Sequence, residues 1–241
     1  MTTDPLSPAA FFDLADPQTA ALFANCKTAW EPLFHIKSHL ARLVGDKQTI
    51  LGKVSRAAWI GSAPVYIAEE AVVEPGVYIV GPAYIGAGVV LRQGAYVREN
   101  VILLEKSMIG HTSEIKNSIL LPGAHAPHFN YVGDSILGAG ANLGAGTRLS
   151  NVEIKSMKDP LTGRRPTITF HMNGETVDTG LAKLGGILGD GVQTGCNAVL
   201  NPGCLVGPRT LIYPNLSVRK GYHPPDSVLK LRQNVATIAR R

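Results

Sequence analysis

The sequence predicts an all-β fold: a parallel β-helix of six-residue repeats, with a small N-terminal helical cap and a C-terminal helix. Three observations carry that expectation. First, every sixth position from Ile67 is aliphatic: Ile67, Val73, Ile79, Ile85, Leu91, Val97, Leu103, Ile109, Ile115 and Leu121. If such residues fill about 30% of positions, ten in a row arise by chance roughly once in 10⁵ trials. Second, 26 glycines and 16 prolines in 241 residues exceed the usual share, so the chain turns often, yet no G-X-Y period appears. Third, aromatic residues are only 6% of the chain, so its core is aliphatic.

A period of six is neither the 2 of a simple strand nor the 3.6 of a helix. Each hexad reads as one short strand and a tight corner, and three hexads close a triangular coil of about 18 residues. Neighbouring coils then pair as parallel strands about 4.8 Å apart. The phase slips around Pro127 to Tyr131 and resumes at Leu137, Leu143 and Leu149. It returns as Leu188, Thr194, Leu200, Val206, Ile212 and Val218. These stretches make some six or seven coils, a prism roughly 30 Å tall.

Residues 1–48 differ. Glycine is absent before Gly45, and apolar residues from Phe11 to Leu43 recur at helical intervals. Asp16 and Pro17 read as the N-cap and first position of a helix. His35 and His39, four apart, share one helix face and read as packing residues. A stacked coil needs covers at its ends, and this cap is expected to supply one. The repeat occupies 49–222. It is interrupted by an insertion at 151–187 that contains TITFHMNGETV, a hairpin candidate with Asn173-Gly174 at its turn. Residues 223–241 form a basic tail, and from Ser227 it reads as helical.

Composition narrows the function. With 45% hydrophobic and 17% charged residues the chain can bury a core, so whole-chain disorder is excluded. The formal charge of +5 suits anionic small molecules. No nucleic-acid motif accompanies it, so no nucleic-acid partner is expected. No apolar run reaches the length of a membrane span, and MTTDPLSPAA lacks the pattern of a signal peptide. Cys26, Cys196 and Cys204 are odd in number and widely spaced, as reduced thiols of a cytoplasmic protein would be.

Coil arithmetic places candidate chemistry. Arg98 and Lys116 lie 18 residues apart, one full coil, and should stack as two cations about 5 Å apart at the backbone. Such a pair repels itself unless an anion bridges it, and a phosphate fits that place, as does a merely solvated basic stripe. Glu114 precedes Lys116 by two residues and points to the same side. The segment HAPHFNYVGD breaks the hexad phase and holds His125, His128 and Tyr131. A His beside a Glu can act as a general base near neutral pH. A zinc site of His111, His125 and His128 is the other reading, but their spacing matches no metal motif, and no metal is expected. In NLGAGT, residues 142–147, small residues let a ligand approach the backbone, whose N–H groups can hold an oxyanion.

The segments EIKNS (114–118), HFNYVGDSILG (128–138), NLGAGT (142–147), DTGLAKLGGILGD (178–190) and LIYP (211–214) occur in one order. Together they resemble the C-terminal acetyltransferase domain of bifunctional sugar-1-phosphate nucleotidylyltransferase/acetyltransferases, especially the archaeal type. The bacterial relative is bifunctional N-acetylglucosamine-1-phosphate uridyltransferase. The resemblance covers about residues 65–222. It implies a left-handed parallel β-helix, a homotrimer with sites between subunits, and acetyl-CoA as co-substrate. It also implies roles. His128 matches the catalytic base, and Glu114 the carboxylate that supports it. Arg98, Lys116 and Tyr131 match the residues that hold the sugar phosphate. Asn142 matches the residue near the sugar amine, and Asn151 a substrate-side asparagine. Gly144, Ala145, Cys196 and Tyr213 fall where the coenzyme A channel is lined.

The sequence also departs from that pattern. No GxGxRL-type nucleotide loop occurs, and 48 residues cannot replace a nucleotidyltransferase domain, so nucleotidyl transfer is not expected. After Asn151 the bacterial pattern continues Tyr-Asp-Gly; here it reads Val152-Glu153-Ile154. The expectation is an acetyl-CoA-dependent acyltransferase that acetylates an amino-sugar phosphate through a His base. The alternatives are a non-catalytic sugar-phosphate-binding module that partners a separate nucleotidyltransferase, and a metal-dependent β-helix hydratase.

Overall fold

The computed structural model describes residues 4–232. Short parallel strands wind into a prism with three faces. The first face holds nine strands, from Thr49–Ile50 to Gly221–His223. The second runs from Lys53–Val54 to His125–His128, and again from Gln193–Thr194 to Val228–Leu229, with Asn142 bridging the two runs. The third face holds eight strands, from Trp59–Ile60 to Ser217–Val218. Nine strands on one face span eight intervals, about 38 Å at 4.8 Å each. The prism is therefore taller than the repeat count predicts. Its end coils escaped that count because Val54, Ala58, Ile60 and Leu229 are only partly buried.

The inward column is aliphatic, as a six-residue period requires, and most of its side chains are fully buried. Its phase differs from the expectation at one place. Leu120, not Leu121, follows Ile115 into the prism. The register shows why. Ile102 pairs with Tyr84 above, a separation of 18, but with Ile119 below, a separation of 17. Ile119 pairs with Ile136, again 17 apart. Each shortened coil loses one residue at the corner between the third and first faces, at Asn117 and Asp134. Both corners are left-handed, with φ of 44° and 48°, a conformation that Asn and Asp tolerate. The slip expected at Pro127 to Tyr131 is not there: Met108 and His111 pair in register with His125 and His128.

The N-terminal segment covers a flank and not an end. Outward on the first face stand Tyr84, Ile102, Ile119, Ile136, Ile187 and Leu205, all buried. Phe11, Phe12, Leu22, Trp30, Ile36 and Leu40 pack on them. This outer apolar column explains the cap: a face with large apolar residues on both sides must be covered on both. Helix α1, Pro17–Phe23, begins as its sequence suggests, with Asp16 Oδ2 accepting the Thr19 N–H at 2.7 Å. Helix α2, Ile36–Val44, buries Ile36, His39, Leu40 and Val44. Burial lowers the pKa of His39, and its Nδ1 lies 2.8 Å from Arg42.

The insertion folds back onto the same flank. Thr169–Met172 and Glu175–Asp178 form a hairpin, with Asn173 and Gly174 both at positive φ. Its Phe170 meets Trp30 edge to face at 6.2 Å, and Trp30 Nε1 donates to the Thr179 carbonyl at 3.0 Å. At the C-terminus, Val228–Leu229 is a strand paired with Leu211–Ile212, where a helix was expected from Ser227. The remainder of that expected helix, from residue 233, lies outside the described residues. No described helix is long and apolar enough to cross a membrane.

Candidate functional site

The coils bring most of the sequence-derived residues onto the third face and its two corners. Glu114–Lys116 is a strand whose middle residue, Ile115, points inward, so Glu114 and Lys116 both face out. Its register sets Val97 beside Ile115, which puts Arg98 in line with Lys116. The next coil sets Tyr131 beside Glu114. Asn151 follows at the corner, with its side chain hydrogen-bonded to Asp134 and accepting from the Tyr131 hydroxyl at 3.5 Å. Arg98, Glu114, Lys116, Tyr131 and Asn151 thus form one cluster.

The anion between the stacked cations belongs to the chain itself. Arg98 donates to Glu114 at 2.9 Å and lies 3.5 Å from Glu99. Lys116 lies 3.7 Å from Glu99 and 3.8 Å from Asp134. The hydrogen bond to Glu114 is the main cause that raises the Arg98 pKa. Lys116 keeps only 12% of its side chain exposed, and a cation so deep needs such partners. Burial, aided by the Glu114 and Asp134 carboxylates, pushes the Tyr131 phenol up, so it stands as a neutral hydroxyl at neutral pH.

Sequence reasoning missed Glu99 and Asp134. It also missed the ladder that holds Asp134. Asn100, Asn117, Asp134 and Asn151 recur every 17 residues along one corner. Asn100 donates to Asn117 at 3.3 Å, Asn117 donates to Asp134 at 2.9 Å, and Asn151 donates to Asp134 from the other side. A search at 17 rather than 18 residues would have found it.

His128 stands at the opposite corner of the third face, exposed, at the end of its strand. Its backbone is fixed by buried Asn130, which accepts the His128 N–H at 2.9 Å and donates to the Gly144 carbonyl at 2.8 Å. Phe129 takes the left-handed corner position at φ 51° and leaves its ring 54% exposed. Among the described residues, the His128 ring makes no hydrogen bond. The expected support from Glu114 is therefore not formed: that carboxylate is engaged by Arg98.

One coil on from His128 comes Ala145, and one further Cys196. The links are the Gly146 N–H to the His128 carbonyl at 2.9 Å and the Asn197 N–H to the Ala145 carbonyl at 2.8 Å. The Asn215 N–H to the Cys196 carbonyl, at 3.0 Å, brings the next coil and Tyr213 to the same corner. Cys196 and Tyr213 are exposed. His128, Ala145 and Cys196 thus line one corner over about 10 Å.

Gly144 plays a different part from the one expected. Its N–H is used by Thr194, whose carbonyl and hydroxyl both lie 2.9 Å away. A side chain there would meet the Gly195 carbonyl carbon at 2.5 Å, so coil stacking requires this glycine. The Ala145 N–H has no partner among the described residues and is the one N–H of this pair left for a ligand. Asn142 sits on the second face, between His125 and Gln193, and not in the third-face cluster. His111 and His128 are strand neighbours. Among the described residues, no three His, Cys, Asp or Glu side chains gather in a way that could hold a metal ion.

Residues 79–195 match the GMPPB C-terminal domain family. A bifunctional sugar-1-phosphate nucleotidylyltransferase/acetyltransferase from Sulfurisphaera tokodaii is 38% identical over 156 residues, which are 65% of this chain and 37% of that protein. The chain is a relative of these bifunctional proteins. Bifunctional protein GlmU from Methanococcus maripaludis is 36% identical over 208 residues, 86% of this chain and 47% of its own length. The chain thus spans less than half the length of these two bifunctional relatives. Among solved structures, the acetyltransferase domain of PglB from Neisseria gonorrhoeae in complex with acetyl coenzyme A aligns over 77% of this chain and 63% of that one. Its identity is 17% and its TM-score 0.32.

Proposed function

We propose that the chain is an acetyl-CoA-dependent acyltransferase whose acceptor is an amino-sugar phosphate. The observation that supports this best is the convergence on one prism face. A histidine with an unengaged ring stands at one corner, a phenol, two cations and an asparagine lie beside it, and small residues with an open N–H lead away down the coils. The relatives named for sugar-1-phosphate and acetyl transfer share this stretch of sequence.

In this reading the acceptor phosphate is held by Arg98 and Lys116, and its sugar lies against Tyr131 and Asn151. Asn142 approaches from the second face, nearer the acyl group. Acetyl-CoA lies along the corner of Ala145, Cys196 and Tyr213. His128 takes the proton from the acceptor amine as its nitrogen attacks the thioester carbonyl. The C–N bond forms, the C–S bond breaks, and coenzyme A leaves as the thiol after taking up a proton. The Ala145 N–H faces the developing oxyanion. General-base assistance of this kind is worth about 10² to 10⁴-fold, and positioning and the oxyanion contact supply the rest. Glu114 acts first by fixing Arg98, and it supports His128 only after a change in that pairing. No metal takes part in these steps, and three copies of the chain complete the sites between them, in a cytoplasmic enzyme.

The experiment mixes the protein with acetyl-CoA and glucosamine 1-phosphate and follows free thiol, beside His128→Ala. Release that needs the sugar and falls at least 100-fold in the variant supports the reading. Equal turnover in the variant removes His128 from it. The engagement of Glu114 by Arg98 favours a second reading, a sugar-phosphate-binding module without turnover. Binding of glucosamine 1-phosphate without thiol release, across a panel of amino sugars, would favour that one.

A further inference from the structure

Three carboxylates surround Arg98 and Lys116, and they are not held alike. Glu114 is hydrogen-bonded to Arg98 at 2.9 Å. Asp134 is nearly buried and fixed by Asn117 and Asn151. Glu99 makes no side-chain hydrogen bond among the described residues and is 39% exposed. It reaches both cations only at long range, 3.5 Å to Arg98 Nε and 3.7 Å to Lys116 Nζ. Glu99 therefore spans the pair without being tied to either member. It also has somewhere else to go. Glu99 and Lys37 of α2 line one cleft of about 440 Å³ beside Pro64, Pro82 and Asn100.

With Glu99 in place, two cations face three carboxylates, and an incoming anion meets a field already compensated. With Glu99 turned away, the remaining charges balance.

From this we infer that Glu99 is a resident counter-ion of the Arg98–Lys116 pair, which the acceptor's phosphate displaces, and that it selects doubly charged phosphate monoesters over singly charged esters. The inference rests on the reading that Arg98 and Lys116 hold the acceptor's anionic group. Exchange of a carboxylate for a phosphate dianion adds a charge to the pair, and its extra oxygens reach both cations. Exchange for a singly charged sulfate ester adds none, so displacement is not repaid. Lys37 lowers the cost of displacement by receiving Glu99 in the cleft.

The test is an NMR titration of the native protein and of Glu99→Gln, Lys37→Ala and Lys116→Met with glucosamine 1-phosphate, methyl phosphate and methyl sulfate. Glu99→Gln is expected to tighten glucosamine 1-phosphate by about three- to thirtyfold at low salt. It is also expected to narrow the preference for methyl phosphate over methyl sulfate. Lys37→Ala is expected to weaken glucosamine 1-phosphate about threefold. Lys116→Met is expected to weaken it at least tenfold. If Lys116→Met weakens binding but Glu99→Gln leaves it unchanged or weaker, the counter-ion role is overturned and the acceptor reading stands. If Lys116→Met changes nothing, the acceptor reading fails and the counter-ion role falls with it.

Discussion

Gly110 to alanine is the sharpest probe of the coil stack beneath His128. An ideal Cβ at Gly110 would lie 1.8 Å from the Pro127 carbonyl oxygen, 2.2 Å from its carbonyl carbon and 2.4 Å from its Cα. Real Cβ atoms essentially never come within 3.0 Å of such atoms, so the facing coil must retreat by more than 1 Å. Those atoms are backbone, in register with the Met108–His111 strand, and cannot rotate away. Overpacking of this kind costs about 3 kcal/mol or more. For a chain of this size that lowers Tm by about 6–12 °C. Gly140 to alanine is the control. Its φ is 64°, but nothing lies within 4 Å of an added Cβ, so only left-handed strain of about 1 kcal/mol applies. That lowers Tm by about 2–4 °C. Thermal unfolding followed by circular dichroism reads both. Because Pro127 precedes His128, the Gly110 variant should also lose thiol release by more than its folded fraction explains. A Gly110 variant that melts within 2 °C of the native protein refutes the stacking argument.

Other expectations concern the core, the cap and the thiols. Inside the prism the Thr147 and Thr194 hydroxyls lie 2.8 Å apart. Thr194→Val leaves Thr147 unpaired and removes an acceptor from the Gly144 N–H, and should cost about 1–3 kcal/mol. The double change to valine should cost less than the sum of the single changes, and strict additivity in denaturant melts would contradict the pairing. Trp30→Phe removes the donor to the Thr179 carbonyl and should loosen the cap by about 1–2 kcal/mol. Faster hydrogen exchange confined to the cap and hairpin would show this, and unchanged exchange would refute it. Burial pushes the Cys204 thiol up to about 12 and Cys26, aided by Glu31, up to about 11. Their thiolates are scarce below those values, so the exposed Cys196 should alkylate first at pH 8 and be protected by acetyl-CoA. Labelling of Cys204 at the rate of Cys196 would contradict its burial.

The inward residues were legible in the sequence because one chemical property, aliphatic bulk, repeats at one period. The N-cap at Asp16 and the turn at Asn173-Gly174 were legible because local backbone chemistry alone decides them. The shortened coils were not, because Leu120 and Leu121 are both aliphatic and the hexad pattern accepts either. Only the pairing of Ile102 with Ile119 separates them. The cap's place on the flank depends on Tyr84, Ile102, Ile119, Ile136, Ile187 and Leu205, which follow coil length and not the hexad. At the site, the stacking of Arg98 on Lys116 followed from coil arithmetic. Which carboxylates neutralise them did not, because Glu99 and Asp134 arrive from different coils. Likewise, the open Ala145 N–H and the occupied Gly144 N–H differ only in which one meets the next coil.

The most direct measurement of the central claim supplies acetyl-CoA carrying ¹³C in the acetyl carbonyl, together with glucosamine 1-phosphate, and identifies the product by NMR. The account predicts the label in an amide on the sugar nitrogen, formed one for one with free coenzyme A and strongly reduced by His128→Ala. Label found only as free acetate, or amide formed equally well without His128, would contradict it.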